Sequence, residues 1–445
     1  MIINSIHFIC NCITNINLYK IIYKRCDVMR IGKYTLRIPL NENETILYNL
    51  ITKVNFKVPV KNDERLILKY IKKNLKKIYS QLRKRLIIVN DKYDDYSEFI
   101  KIKDYYNNQN IKGTFLIHTN LNCNLKCSYC YQSCIKNKQE SINDDNIDKI
   151  IDFIYKTVKM NDYRILDICF IGGEPLLQSK KILMIADKVN KLQNVKVSYT
   201  VVTNGTIYNE KIYEKFIKRG IINFQITLDG TEKIHDKLRI YKNNKGSHKV
   251  IINNLIKMQN DFPNINTIIN CNINELNKNN IEDMIFELKQ NNIKYPISFS
   301  LVFDNIGNDK YETNDKTIWL KCHKTAMKYG YEFEPFYREM YLGCAMTQKN
   351  YHILSPSGNL YKCINAINDN EYYVSNLSEY GTNLYYENAS KFFNYFPNNK
   401  LCKNCEILPI CYGGCHYKNR NKEFKCDKEL YYLNDIELIK EMYKE

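Results

Sequence analysis

Seventeen cysteines lie along the 445-residue chain, and ten of them fall into two spaced groups. The first is Cys123-Asn-Leu-Lys-Cys127-Ser-Tyr-Cys130. Three thiolates at these spacings can wrap one face of a compact cluster. A cubane 4Fe–4S cluster takes four cysteine ligands, so three leave one iron open to a non-protein group. That arrangement is needed when a cluster acts on a bound small molecule and does not merely carry electrons. A three-thiolate zinc site is the other reading of the isolated motif.

The second group is Cys344, Cys363, Cys402-x2-Cys405-x5-Cys411-x3-Cys415 and Cys426. It begins more than 200 residues after the first, so the two groups are expected to serve separate sites. Alone, the 402–415 stretch would also suit a zinc ribbon. The first 28 residues show no continuous apolar segment and no small-residue cleavage site, so no signal peptide is expected. With many thiols and no export signal, a reducing cytoplasm is expected, where metal or cluster ligation outranks disulfides.

The first motif follows an apolar run, TFLIHT (114–119), that reads as a strand. Five more runs read the same way: RILDICFI (164–171), KVSYTVVT (196–203), INFQITL (222–228), NTIINCNI (266–273) and PISFSLVF (296–303). The second ends in GGEP (172–175), the third in Asn204-Gly205 and the fourth in Asp229-Gly230. Segments with helical apolar spacing lie between them, including 212–219, 250–259 and 281–290. Strands alternating with helices predict an α/β fold, a parallel barrel or partial barrel. Each motif falls at the C-terminal end of its strand, where such barrels place their chemistry.

Taken together, CxxxCxxC after the first strand, Tyr129 before its third cysteine and GGEP after the second strand resemble the radical S-adenosylmethionine (SAM) superfamily over roughly 112–310. The resemblance implies a partial (β/α)6 barrel in which SAM chelates the open iron through its amino and carboxylate groups. It implies Cys123, Cys127 and Cys130 as ligands of the catalytic cluster. Gly172 and Gly173 would let the backbone approach SAM, and Glu174 would accept from its amino group. Tyr129 would contact the adenine and Asn204 the ribose. Thr227 would donate to the methionyl carboxylate, and Arg239 would pair with it.

The seven C-terminal cysteines, with Gly358 between the first two, resemble the SPASM extension found behind such barrels in peptide-modifying enzymes. That resemblance covers roughly 321–445 and implies two auxiliary 4Fe–4S clusters. Cys402, Cys405, Cys411 and Cys426 would hold one; Cys344, Cys363 and Cys415 would hold the other, nearer the barrel. Glycines 413 and 414 would turn the backbone between the sites. With three ligands the nearer cluster has an open iron that could take a substrate thiolate, Cys322 being a distant candidate for the fourth place. Sulfatase maturases carry a catalytic Asp after the cysteine equivalent to Cys363; here the residue is Ile364, which cannot act as a base.

The expected organisation is an uncertain N-terminal extension (1–28), a small α+β domain (29–110), the radical SAM core (111–320) and the SPASM domain (321–445). In the second of these, TLRIPL (35–40) and ETILYNLITK (44–53) read as strands. Residues 64–84 read as one or two basic amphipathic helices, and 85–99 as a strand followed by an acidic turn. Such a region resembles the peptide-recognition modules that precede many peptide maturases. Sixty-six Lys and Arg against 48 Asp and Glu give a net charge of +18. The basic residues are scattered, with no Arg-rich block, so an acidic leader peptide fits better than a nucleic acid. No apolar run approaches the roughly 18–20 residues a membrane helix needs.

These features point to an enzyme that cleaves SAM to a 5′-deoxyadenosyl radical and modifies a ribosomally made peptide. Thioether formation is the first expectation and another cross-link the second. Flavodoxin or ferredoxin is the implied electron donor. The rivals are a formylglycine-forming maturase of the sulfatase type and a basic, zinc-stapled nucleic-acid-binding protein.

Overall fold

The computed structural model describes residues 28–109, 111–135, 139–302, 310–331, 344–393, 400–419, 424, 426–441 and 443. The expectations for residues 1–27, for REMYLG (338–343) and for the end of the sixth apolar run lie outside them. The chain divides into two compact units: Met1–Lys103 with Asn398–Cys411 and Asp435–Glu445, and Asp104–Pro397 with Tyr412–Asn434.

In the first unit, β1 (Met29–Ile31) pairs antiparallel with β5 (Ile88–Asn90). β2 (Thr35–Asn41), β3 (Glu44–Asn49) and β4 (Asn55–Val58) form an antiparallel meander. The expected strand 44–53 stops at Asn49, because Asn49 accepts through its side chain from the amides of Ile51 and Thr52 and turns the chain into β4. Helix α1 (Glu64–Asn74) begins where the Asp63 side chain accepts from the Leu66 amide, and helix α2 (Tyr79–Lys84) follows a short 3-10 turn. Ile67 and Ile71 of α1 and Leu82 of α2 are buried with Ile31, Leu47, Val58 and Ile88. Arg65, Lys69, Lys72 and Lys73 lie on the exposed face. The acidic stretch read as a turn is instead the start of helix α3 (Asp95–Asn107): Asp94 accepts from the Ser97 amide at 3.1 Å and so caps it. Residues 400–411 belong to this unit too, where the Lys403 ammonium lies 5.8 Å from the Tyr96 ring centre.

The second unit is built on a mostly parallel sheet of nine strands. Its first six are β6 (Lys112–Asn120), β7 (Ile165–Gly172), β8 (Lys196–Thr203), β9 (Ile221–Thr227), β10 (Asn266–Ile273) and β11 (Ile297–Leu301). These six pair in chain order, all parallel. Helices α4 (Asp144–Asn161), α5 (Ser179–Val189), α6 (Glu210–Ile217), α7 (Glu232–Leu238), α8 (His248–Asp261) and α9 (Ile281–Gln290) alternate with them; α10 (Ile318–Lys328) follows β11. β12 (Tyr351–Leu354) adds in parallel to the outer side of β6, and β13 (Asn359–Tyr361) and β14 (Tyr373–Asn376) continue from it antiparallel. Side chains such as Phe115, Ile117, Ile168 and Phe170 face one large core with the helices. Leu116, Ile171 and Ile353 belong to a smaller cluster on the opposite parity of their strands. Among the described residues, no helix is long and apolar enough to cross a membrane.

Candidate active site

The loop after β6 is held on its far side by the segment after α7. Leu125 bridges Tyr241, Lys126 donates its amide to Ile240 O at 2.8 Å, and Ser128 donates to Leu238 O at 2.9 Å. The three thiols this loop carries are half-buried. Cys123 Sγ accepts from the Leu125 amide at 3.3 Å and from Asn204 Nδ2 at 3.7 Å. Burial pushes Cys123 and Cys127 up to about 11, with Arg239 opposing the rise at Cys127. A bound cation would favour their thiolate forms. Among the described residues, no three His, Cys, Asp or Glu side chains converge on a single-ion site.

Tyr129, between the second and third cysteines, donates its phenol proton to Asp229. It accepts from Arg239 Nη1 at 2.8 Å and from Asn272 Nδ2 at 3.2 Å. Arg239 also lies 3.7 Å from the Asp229 carboxylate. Asp229 is fully buried; burial raises its carboxyl pKa against the pull of Arg239, and its Oδ1 accepts from the Asn272 amide at 2.7 Å. The Arg239 side chain is nearly as buried, and its Nε has no partner in the protein. A buried guanidinium with one unmade hydrogen bond beside a cysteine loop suits a carboxylate ligand. The residues therefore fit SAM at this end of the site. Thr227 is buried at the end of β9, in register with Asn270 of β10.

The GGEP turn is packed more tightly than its expected role requires. A Cβ on Gly172 would lie 2.4 Å from Asn120 O, and one on Gly173 would lie 2.1 Å from Asn122 O. The glycines thus let the β7 end touch the root of the cysteine loop. Glu174, expected to reach the SAM amino group, uses its buried carboxylate on protein donors. Thr203 Oγ1 (2.6 Å) and the Leu176 amide (3.0 Å) donate to Oε1, and the Asn204 amide (2.7 Å) donates to Oε2. It is the cap of the following turn and the tie between β7 and β8. Asn204, expected at the ribose, donates to Asn124 Oδ1 at 2.8 Å and accepts from Thr206, so its side chain supports the cysteine loop.

Residues 117–288 match the model of the radical SAM superfamily. This chain carries a radical SAM domain. The cysteine-type anaerobic sulfatase-maturating enzyme of Clostridium novyi (strain NT) is 28% identical over 335 residues, 68% of this chain and 86% of that protein. The solved structure of native anSMEcpe with bound AdoMet superposes with a TM-score of 0.59 at 18% identity, covering 75% of this chain and 100% of that one. Streptococcus suis SuiB bound to the precursor peptide SuiA gives 0.53 at 18% identity, over 89% of this chain and 97% of that one. The two structures share the fold with the radical SAM domain described here. A radical SAM domain implies a 4Fe–4S cluster, bound SAM and an enzymatic role.

Within the radical SAM domain, sequence reasoning used Asp229 only as a turn marker and missed Asn272 and Asn124. The signal for Asp229 was present: it stands two residues past Thr227, at the end of the fourth strand, as GGEP and Asn204 stand at the ends of the second and third. Elsewhere, Cys363 follows β13 half-buried, and Cys344 and Cys426 are exposed. Cys402 and Cys411 are buried, and Cys405 and Cys415 half-buried. Tyr412, Gly413 and Gly414 all have positive φ (52°, 79° and 85°), which makes the sharp turn expected before Cys415. Tyr131 is half-buried, with Cys130, Cys169 and Cys363 all near enough to act on its phenol, whose pKa is raised first by desolvation. Cys322 does not sit among these groups. It is buried on α10 beside Asp315 and Lys321, acts electrostatically on Cys271 of β10, and is pushed up to about 12 by burial. Its described neighbours are core groups of α10 and β10.

Proposed function

We propose that the chain modifies a ribosomally made peptide, joining a cysteine sulfur to an unactivated carbon as a thioether or making a related cross-link. When bound, the cluster and SAM supply a one-electron reductive cleavage that yields a carbon-centred radical able to abstract hydrogen. The protein's residues orient and shield. Arg239 receives the polar end of SAM, held by the Tyr129 hydroxyl and Asp229, while the Tyr129 ring stays available to the adenine; Glu174, Asn204 and Asn124 brace the cysteine loop. Cys344, Cys363 and Cys415, and Cys402, Cys405, Cys411 and Cys426, are the proposed ligands of two auxiliary clusters. That Cys363 and Cys130 both lie near the half-buried Tyr131 phenol supports an auxiliary group close to the catalytic one.

The observation that carries the cross-linking reading is Ile364, which packs with Leu116, Ile171 and Ile353 where a formylglycine-forming maturase needs a base. The Clostridium novyi relative favours the maturase as second reading. The exposed lysines of α1 support an acidic leader as the handle for the substrate. The test is reaction with SAM, reductant and a short cysteine-bearing peptide from the gene neighbourhood. A thioether removes the thiol proton and one C–H hydrogen, the SAM-derived radical taking the hydrogen atom and a loaded auxiliary cluster being the group that would take the remaining electron; it leaves sulfur in the peptide and blocks alkylation. Formylglycine loses the sulfur and reacts with carbonyl reagents, and that outcome would overturn the cross-linking reading.

A further inference from the structure

The turn after β9 and the start of α8 are joined by a continuous line of buried hydrogen bonds. The Asp229 amide donates to Nδ1 of His235 at 3.1 Å. Nε2 of His235 lies 3.0 Å from the Ser247 hydroxyl, and that hydroxyl donates to the Arg239 carbonyl at 2.5 Å. His235 and Ser247 are both 0% exposed. The direction of each bond follows from the two ends. A backbone N–H only donates, so Nδ1 carries a lone pair; a carbonyl only accepts, so Ser247 gives it the hydroxyl proton. The Ser247 oxygen is left to accept, and Nε2 carries the imidazole proton.

The adjacent Asp236 fixes the same segment. Its Oδ1 accepts from the amides of Ser247 (2.9 Å) and His248 (3.0 Å), and a Cβ on Gly246 would meet Asp236 Oδ2 at 1.9 Å. The two ends of the line, Asp229 and Arg239, meet again through their side chains at 3.7 Å, with Tyr129 hydrogen-bonded to both.

We propose that His235, as the neutral Nε2–H tautomer, is a positioning residue that locks the Asp229 backbone to the Arg239 backbone through Ser247 and so aims the guanidinium at the SAM carboxylate. The inference rests on the reading of Arg239 as a SAM contact. Burial, then the charge of Arg239 and the neighbouring His248 ring 5.6 Å away, oppose protonation of the imidazole. A protonated ring would point a second N–H at the Asp229 amide and break the line at its first bond.

The test measures SAM dissociation constants by equilibrium dialysis on anaerobically purified, cluster-loaded protein. His235→Leu removes both bonds and is expected to weaken SAM about tenfold, with iron and sulfide unchanged. At saturating SAM its kcat for 5′-deoxyadenosine should stay near that of the parent protein, so the loss falls on KM. His235→Asn retains an acceptor in place of Nδ1 and should recover part of the affinity. Ser247→Ala breaks the line without touching the imidazole and should shift affinity in the same direction. On an Arg239→Leu background, His235→Leu should add little, because its effect travels through Arg239. Wild-type SAM affinity in His235→Leu and Ser247→Ala, while Arg239→Leu binds poorly, overturns the positioning role alone. So does an equal loss with and without the Arg239 side chain. Unchanged affinity in Arg239→Leu itself overturns the underlying site reading as well.

Discussion

Replacing Arg239 with Leu tests binding and folding together, because the side chain faces the proposed SAM carboxylate on one side and Asp229 and Tyr129 on the other. Toward SAM it offers the unmade Nε hydrogen bond and a full positive charge. Losing a charged hydrogen bond costs about 1.5–3 kcal/mol, or roughly a 10- to 150-fold rise in the SAM dissociation constant. Toward the protein it neutralises Asp229, whose carboxylate is fully buried 3.7 Å away. Stranding a buried charge costs about 3–5 kcal/mol, less whatever Tyr129 and the Asn272 amide recover. The variant should therefore be both less stable and poor at binding SAM. Its stability should also depend on pH. Burial already raises the folded-state pKa of Asp229 above its ordinary value, with Arg239 opposing, so removing Arg239 raises it further. A carboxyl with a raised folded pKa binds more protons in the folded than in the unfolded state. Stability then falls as pH rises from the ordinary Asp value through the raised one. The double variant Arg239→Leu/Asp229→Asn removes the stranded charge and should regain stability without regaining SAM affinity. Thermal melts across pH and equilibrium dialysis of SAM read the two effects independently. If the double variant recovers SAM binding along with its melting temperature, Arg239 is a structural ion-pair partner and not a ligand-binding residue.

Changing Cys123, Cys127 and Cys130 together to Ala should remove about a third of the iron, on a count of three cubanes, and abolish 5′-deoxyadenosine production. Retained SAM cleavage would refute the assignment. Cys322→Ala should leave iron and sulfide content unchanged and cost about 1–2 kcal/mol of stability for the core volume lost; loss of iron would return Cys322 to the ligand set. Glu174→Gln should lower the melting temperature even without SAM, because an amide N–H would then face one of three donors, at a cost of about 1–3 kcal/mol. An unchanged melt with weakened SAM binding would restore the role first expected for that side chain.

The parallel strands were legible because strands buried on both faces read as near-continuous apolar runs. β8 and β10 fall on the expected residues, and the others differ by a residue or two at the ends. The short elements were not legible. β4, β12, β13 and β14 span three or four residues each, too few for a periodicity to show, and their pairing is decided by distant partners. Asp94 and Asp95 looked like a turn because acidic residues favour both turns and helix starts, and only the capping bond to Ser97 decides between them. In the site, the residue types at strand ends were legible, but their protein partners were not: Glu174 and Asn204 bond neighbouring donors and acceptors, and Asp229 bonds Tyr129, a hundred residues earlier in the chain.

The parallel pairing of β12 with β6 has a consequence for the integrity of the whole sheet. In a bare six-strand arc, β6 would be a rim strand, its outward amides and carbonyls free to recruit another chain. Here residues 351–354 cover that rim at Thr114–Ile117, and two further strands move the rim outward. The stem of the cysteine loop therefore lies inside the ladder, where its amides should be among the slowest to exchange with deuterium. Cutting the chain before Tyr351 would do more than discard cysteines. It would bare the apolar strand β6 that leads into the cysteine loop, and the shortened protein should be recovered as aggregate.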